Sequence, residues 1–273
     1  MRLFVFGLGY AARAIADAAG APLLATTRDG RDGTIRFDDA AAVRAGIAAS
    51  THVLSSVPPD KIGDPVLRAY GAVLGERWLG YLSSTGVYGD TGGAWVDEDA
   101  AADRGRRPLR NGADAAWLAA GARVFRLPGI YGPGRSPLER VATGEAHRTG
   151  IAGQVFSRVH VADIASGVVA GFDAPAGAYN LADDEPAAQD AVVAYAALLL
   201  GVAPPPIVPL EQLGSAARAF HAENRRVANG KAKRLLGWQP RYPDYRAGLR
   251  ALSATTSPIA ASMAPATASG VQR

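Results

Sequence analysis

The sequence predicts an α/β protein built on a parallel, doubly wound sheet. Three observations carry this. Short apolar runs alternate with Ala/Val/Ile-rich segments of helical spacing through residue 90. The first run, Leu3 to Phe6, breaks into a glycine turn and then directly into a helical pattern. A chain of 273 residues, 48% hydrophobic and 20% charged, is long and apolar enough to bury a sizeable core.

The opening stretch has the strand–turn–helix context that a dinucleotide-binding glycine motif requires. Gly7 permits the tight turn, and Gly9 lets backbone approach a pyrophosphate. Ala12 stands where a third glycine would allow close helix–strand packing. Tyr10, Ala11 and Ala12 begin the helix, whose free N–H groups and positive dipole suit phosphate. An ordinary tight βα turn is the alternative reading.

Residues 22–27 read as a second strand, ending in Thr27-Arg28-Asp29-Gly30. This is about twenty residues beyond the glycine turn, where such folds contact the adenosine ribose. An arginine there forks onto a 2′-phosphate, so Thr27 and Arg28 point to NADP. Asp29 leaves NAD open, and a solvated loop arginine is the plain alternative.

A short third strand covers 34–37, and Asp38 and Asp39 are N-cap candidates for the helix after it. Residues 52–56 form a fourth strand, stopped by Val57-Pro58-Pro59. Its carboxyl end is where ligands sit in open α/β sheets, which makes Ser55, Ser56, Val57 and Pro58 cofactor-lining candidates. Asp64-Pro65 starts another helix with proline at its first position. A fifth strand at 77–83 runs into Ser84-Thr85-Gly86-Val87-Tyr88-Gly89. Residues 91–108 read as loop, 113–120 as helix, 121–127 as a sixth strand and 128–134 as a rigid loop. Residues 135–150 read as a helix and turn, 161–170 as an apolar helix, 177–181 as a last strand and 189–201 as a strongly apolar helix. The segment 253–273, rich in Ala, Ser, Thr and Pro with almost no charge, reads as a disordered tail.

Composition excludes several classes. Without cysteine there are neither disulfides nor thiolate metal sites, and the four histidines lack metal-ligand spacing, so no metal is expected. No apolar stretch reaches the ~20 residues of a membrane span. The N-terminal apolar stretch is interrupted by glycines, unlike a signal peptide, so a cytoplasmic protein is expected. The net charge of +4 could suggest nucleic acid, but the basic residues are spread along the chain and only 104–107 and 225–226 cluster. A small-molecule partner is expected instead.

Four further stretches bring out a family likeness: 83–90, 126–134, Arg158-Val-His160 with Asp163, and 235–240. With the glycine turn, and in this order, the chain resembles the extended, epimerase/dehydratase-like short-chain dehydrogenase/reductases over residues 1 to about 250. The resemblance implies a Rossmann-type sheet with a small C-terminal substrate lobe. That makes one unit over 1–252, with 1–130 the core part and 131–252 the remaining core elements and the lobe. It implies hydride transfer between a nicotinamide cofactor and a small or nucleotide-linked substrate. Relatives often dimerise through the helices after strands four and five, here about 64–74 and 111–120.

The family's chemistry uses a serine or threonine hydroxyl, a tyrosine that exchanges a proton, and a lysine four residues later that lowers the tyrosine pKa. Ser84 matches the hydroxyl, with a strand-end capping serine as its alternative. The tyrosine and lysine do not match: no lysine lies between Lys61 and Lys231. If Asp114 is the acid that follows the motif lysine, Arg110 takes the lysine position and Arg106 the tyrosine position. Arg110 can still contact ribose or phosphate, but Arg106 cannot act as a neutral acid. Tyr88 is the nearest phenol to Ser84 and is the candidate replacement. Thr85, Tyr131, Arg158 and His160 are substrate-side candidates, with a structural role as the alternative for His160. An arginine at 158, or at 135, would suit an anionic substrate. A non-catalytic NADP-binding redox sensor is the rival reading, favoured by the missing pair.

Overall fold

The computed structural model of the protein describes residues 1–256. The apolar runs become the strands of one sheet, because a parallel strand covered on both faces must be apolar throughout. In β1 (Leu3–Phe6) all four residues are buried, and each such side chain contributes roughly 1.5–3 kcal/mol by leaving water. Then follow α1 (Tyr10–Ala19), β2 (Leu23–Thr27), β3 (Ile35–Arg36), α2 (Ala40–Ala48), β4 (His52–Ser55), α3 (Pro65–Leu74) and β5 (Trp78–Ser84). Asp39 caps α2 by accepting from the Ala42 N–H. Asp64 caps α3 at both Val66 and Leu67, with Pro65 at the first helical position.

The second half comprises β6 (Trp95–Val96), α4 (Pro108–Ala119), β7 (Arg123–Leu127), β8 (Gly129–Tyr131), α5 (Pro137–Ala142), β9 (Arg158–His160), α6 (Val161–Ala170) and β10 (Gly177–Asn180). It closes with α7 (Gln189–Leu199), α8 (Ser215–His221), β11 (Arg226–Val227), α9 (Gly230–Leu236) and α10 (Tyr245–Thr256). The main sheet has seven strands in the order β10-β7-β5-β4-β1-β2-β3, all parallel. Strand order reverses between β1 and β4, so the ligand crevice of a doubly wound sheet lies outside their carboxyl ends.

Helices α1 and α6 cover one face of the sheet and α2, α3 and α4 the other. A separate apolar cluster joins α5, α7 and α10 around Leu138, Val192 and Leu249 and forms the core of the C-terminal lobe. The lobe is tied to the sheet by two small parallel pairs, β6 with β11 and β8 with β9.

Four local expectations need correcting. The 91–108 loop contains β6, and the rigid loop at 128–134 contains β8; both are short strands whose only partners come from distant segments. Helix α4 starts at Pro108 rather than 113, because proline at its first position needs no N–H partner. The tail was expected from 253, yet α10 continues to Thr256; the rest of that tail, 257–273, lies outside the described residues. No helix among the described residues is long and apolar enough to cross a membrane.

Candidate functional site: a glycine turn and an arginine-lined cleft

Gly7 has a φ of +79°, which strongly favours glycine, and a Cβ there would stand 2.9 Å from a Val57 methyl. The Ser56 hydroxyl donates to the Gly7 carbonyl. The ends of β1 and β4 are thereby fastened together at the crevice. Gly9 precedes α1 without any side-chain cap, and a Cβ on it would meet nothing within 4 Å. The first turn of α1, with the N–H groups of Tyr10, Ala11 and Ala12, thus begins without a capping side chain beside open space at Gly9. Ala12 itself is fully buried in the core cluster that α1 shares with α6. The Tyr10 hydroxyl donates to the Pro133 carbonyl at 3.0 Å, and the Arg135 guanidinium lies 5.8 Å from its ring centroid.

At the end of β2, Thr27 is buried, and its hydroxyl serves the turn: it accepts from Gly30 N–H at 3.0 Å and pairs with the Thr34 hydroxyl at 2.7 Å. Thr27 thus shapes the loop instead of presenting its side chain to a ligand, which corrects its expected role. Asp29 is engaged with Thr27 and with Arg31. Arg28 is exposed and has no carboxylate partner among the described residues. Ser55 is likewise turned inward, fully buried and accepting from Val57 N–H, while Val57 packs on Gly7 and Pro58 is exposed.

Ser84 ends β5, and its Oγ accepts from Gly86 N–H at 3.1 Å, which leaves its hydroxyl proton for another acceptor. Tyr88 is bonded elsewhere. Its ring is buried, and its hydroxyl donates to Asn180 Oδ1 at 2.8 Å and accepts from Arg126 at 3.0 Å. Burial pushes this phenol up to about 12. Tyr88 is a buried network residue and not the catalytic acid expected from the sequence. Arg126 in turn forks onto Asp114 at 2.8 and 3.2 Å, and Ser83 donates to the same carboxylate at 2.6 Å.

Beside Ser84 the segment 104–106 folds tightly onto the 86–89 turn. A Cβ on Gly105 would overlap the Gly86 carbonyl, and one on Gly89 would overlap that of Arg104. This close approach delivers Arg106, Arg107 and Arg110 to a cleft of about 950 Å³ that Ser84 and Thr85 also line. Seven arginines line the cleft against three glutamates, with no lysine or aspartate. Arg106 and Arg225 share the buried carboxylate of Glu223, at 2.6 and 2.7 Å. Burial alone would raise this carboxyl, but the hydrogen bonds from Arg225 and Arg106 hold it below the ordinary value. Arg107 and Arg135 have no carboxylate partner among the described residues, and Arg110 donates only to the Tyr81 hydroxyl, at 3.3 Å.

No family model matches the chain. A conserved protein of unknown function from Silicibacter pomeroyi is 40% identical, with a TM-score of 0.81 over 93% of this chain and 98% of that one. The two belong to one family. Human epimerase family protein SDR39U1, solved with NADPH, is 17% identical with a TM-score of 0.70 over 93% of this chain and 99% of its own. The chain shares the fold of that epimerase family protein. Among curated proteins, a 3-diazoavenalumate denitrifying reductase from a Streptomyces species is 31% identical over 137 residues, 46% of this chain. The match spans less than half, 45%, of that relative's length.

The cleft departs from the residue pattern that the family resemblance implies. Arg110 lines the cleft from the first turn of α4, one turn before Asp114, and Arg106 is held by Glu223, so guanidinium groups stand at the two positions where the resemblance led one to expect phenol and amine. The opposite wall also differs from expectation. The Tyr131 ring lines the cleft, yet its hydroxyl is buried without a partner, against Gly248 of α10. Burial drives its pKa upward. Arg158 stays in the wall, its fork spent on the Phe156 and Ala187 carbonyls and Gln189. His160 is buried outside the cleft lining. Its Nδ1 accepts from Ala162 N–H at the start of α6, and burial lowers its pKa to about 4. It is a structural cap, which corrects its assignment to substrate. The residues missed by sequence reasoning are Arg107, Phe156 and Phe220 in the cleft; the basic run at 104–107 was the available signal for the first.

Proposed function

We propose that the protein is an NADP(H)-dependent reductase acting on a small anionic substrate in the arginine-lined cleft. The observation that carries this is the presence of two anion-receptive features in one protein: an uncapped α1 start beside open space at Gly9, and a cleft holding an excess of four arginines over glutamates. That excess equals the formal net charge of the whole chain, +4. The basic character is therefore concentrated in a concave site, which suits an anionic small molecule better than an extended polyanion.

The residues present fit a dinucleotide. The N–H groups of Tyr10, Ala11 and Ala12 hold the pyrophosphate, aided by the helix dipole. Arg28, free of carboxylates, takes the 2′-phosphate, and this favours NADP over NAD. Arg110 reaches toward the ribose from the position of the family lysine. When bound, the nicotinamide gives or takes a hydride. Ser84 donates its free hydroxyl proton in a hydrogen bond to the substrate, and the guanidinium groups stabilise negative charge there without moving a proton.

The neighbour solved with NADPH and the reductase relative support this reading. A homodimer through α3 and α4 belongs to the same proposal, supported by a groove between them lined by Leu67, Gly112 and Ala116. So does a cytoplasmic location. The clamp of Glu223 on Arg106 favours a second reading, a non-catalytic NADP-binding sensor. A structure with NADP⁺ bound tests the first reading. Its nicotinamide should lie at the end of β5 within reach of Ser84 and open to the cleft. A ring sealed from the cleft by the Arg106–Glu223 pair would favour the sensor, and no dinucleotide at the glycine turn would refute both.

A further inference from the structure

The cleft carries a second chemical feature that hydride transfer does not require. Phe220 of α8 lies flat on Phe156, with ring centroids 4.4 Å apart and planes 15° from parallel. His221 meets both rings edge-on, at 5.2 and 5.8 Å. Its Nδ1 is fixed by Gln154 Oε1 at 2.8 Å, so the imidazole is held as part of the wall. Phe220 is nonetheless 47% exposed and lines the cleft. A large apolar ring whose one face is stacked and whose exposed part borders a ligand cleft offers a stacking surface to a planar guest.

The same cleft is lined by seven arginines. Arg135 sits over Tyr10 at the glycine turn and so belongs with the dinucleotide phosphates. Arg106 and Arg225 are occupied by Glu223. Arg158 is spent on the Phe156 and Ala187 carbonyls and Gln189, Arg140 donates to the Glu145 carbonyl, and Arg110 is taken by the ribose in the reading above. That leaves Arg107, which lines the cleft with Ser84, as the guanidinium group without a carboxylate. An anion seated there is adjacent to the group that accepts or loses hydride. A nucleoside diphosphate carries its charge between base and sugar, away from a reacting sugar carbon, and fits this arrangement less well.

From this geometry we infer that the substrate is an aromatic carboxylate: its ring stacks on Phe220 and its carboxylate is held by Arg107. The inference rests on the reductase reading above and names the substrate class of that site.

The test uses the full chain saturated with NADP⁺ and titrates trans-cinnamate, benzyl alcohol and UDP by calorimetry. Cinnamate should bind, benzyl alcohol should bind at least tenfold more weakly, and UDP should fail to displace cinnamate. Phe220→Ala and Arg107→Gln should each weaken cinnamate at least fivefold while the NADP⁺ titration stays unchanged, which also certifies that the variants fold. Phe220→Leu, which keeps apolar bulk but not the ring, should weaken it too. Cinnamate binding that is absent, or indifferent to both Phe220 variants, overturns the inference, as does UDP competing for the site. Failure of the wild-type protein to bind NADP⁺ instead refutes the underlying reading.

Discussion

Arg126 and Asp114 are 3% and 2% exposed and form the deepest ion pair among the described residues. Their hydrogen bonds reach Ser83 and Tyr88, and Tyr88 passes the network on to Asn180. Removing one partner strands the other charge in the interior, at a cost of about 3–5 kcal/mol. Arg126→Met should therefore lower unfolding free energy by about that amount in urea titrations. A loss under 1 kcal/mol would contradict the buried-pair account. Asp183 is the opposite case: 3% exposed, with both carboxylate oxygens unpartnered. Burial pushes it up to about 8. A carboxyl whose folded pKa exceeds its unfolded value binds the proton more tightly when folded, so its stabilisation is present at low pH and is lost as pH rises toward 8. Asp183→Asn should remove that decline between about pH 4 and 8, visible as a flatter profile of melting temperature against pH. An unchanged profile would show that Asp183 ionises normally.

At the scale of elements, Asp64 joins two helices. Its Oδ1 caps α3 at Val66 and Leu67, each at 2.9 Å, and its Oδ2 accepts from the indole of Trp117 on α4, also at 2.9 Å. Asp64→Ala loses a cap and leaves a buried indole N–H unpaired, together about 2–3 kcal/mol. Chemical denaturation checks this, and a loss below 0.5 kcal/mol would mean the cap is dispensable. The Asp64-Pro65 signal was legible because a cap and an N1 proline act locally; so was the glycine turn. What escaped was long-range. β6 and β8 are two and three residues long and exist only through partners at 226–227 and 158–160. Tyr88 read as an acid near Ser84, since nothing in 83–90 announces that Arg126 and Asn180 will enclose it. Phe156 and Phe220 lie 64 residues apart in sequence, and no pattern along the chain brings them face to face.

For the whole molecule, the central idea is that one crevice holds a dinucleotide on the β1–α1 side and an anion on the β5–α4 side. Because arginines outnumber glutamates in the cleft lining by seven to three, anion binding there should weaken as ionic strength rises across the Debye range of about 10 Å at 0.1 M to 3 Å at 1 M. A salt-independent affinity for cinnamate would place its carboxylate elsewhere.

Cofactor binding remains the most direct test of the account. Ligand present at 100 times its Kd stabilises the folded state by about 2.7 kcal/mol, which for a domain of this size raises the melting temperature by roughly 5–10 °C. NADPH should produce such a shift in the wild-type chain. Arg28→Ala should weaken NADPH about 10- to 100-fold, the worth of a charge-assisted hydrogen bond, and leave NADH unaltered. Equal loss for both cofactors would remove the 2′-phosphate role of Arg28, and the absence of a shift with either would contradict the cofactor site itself.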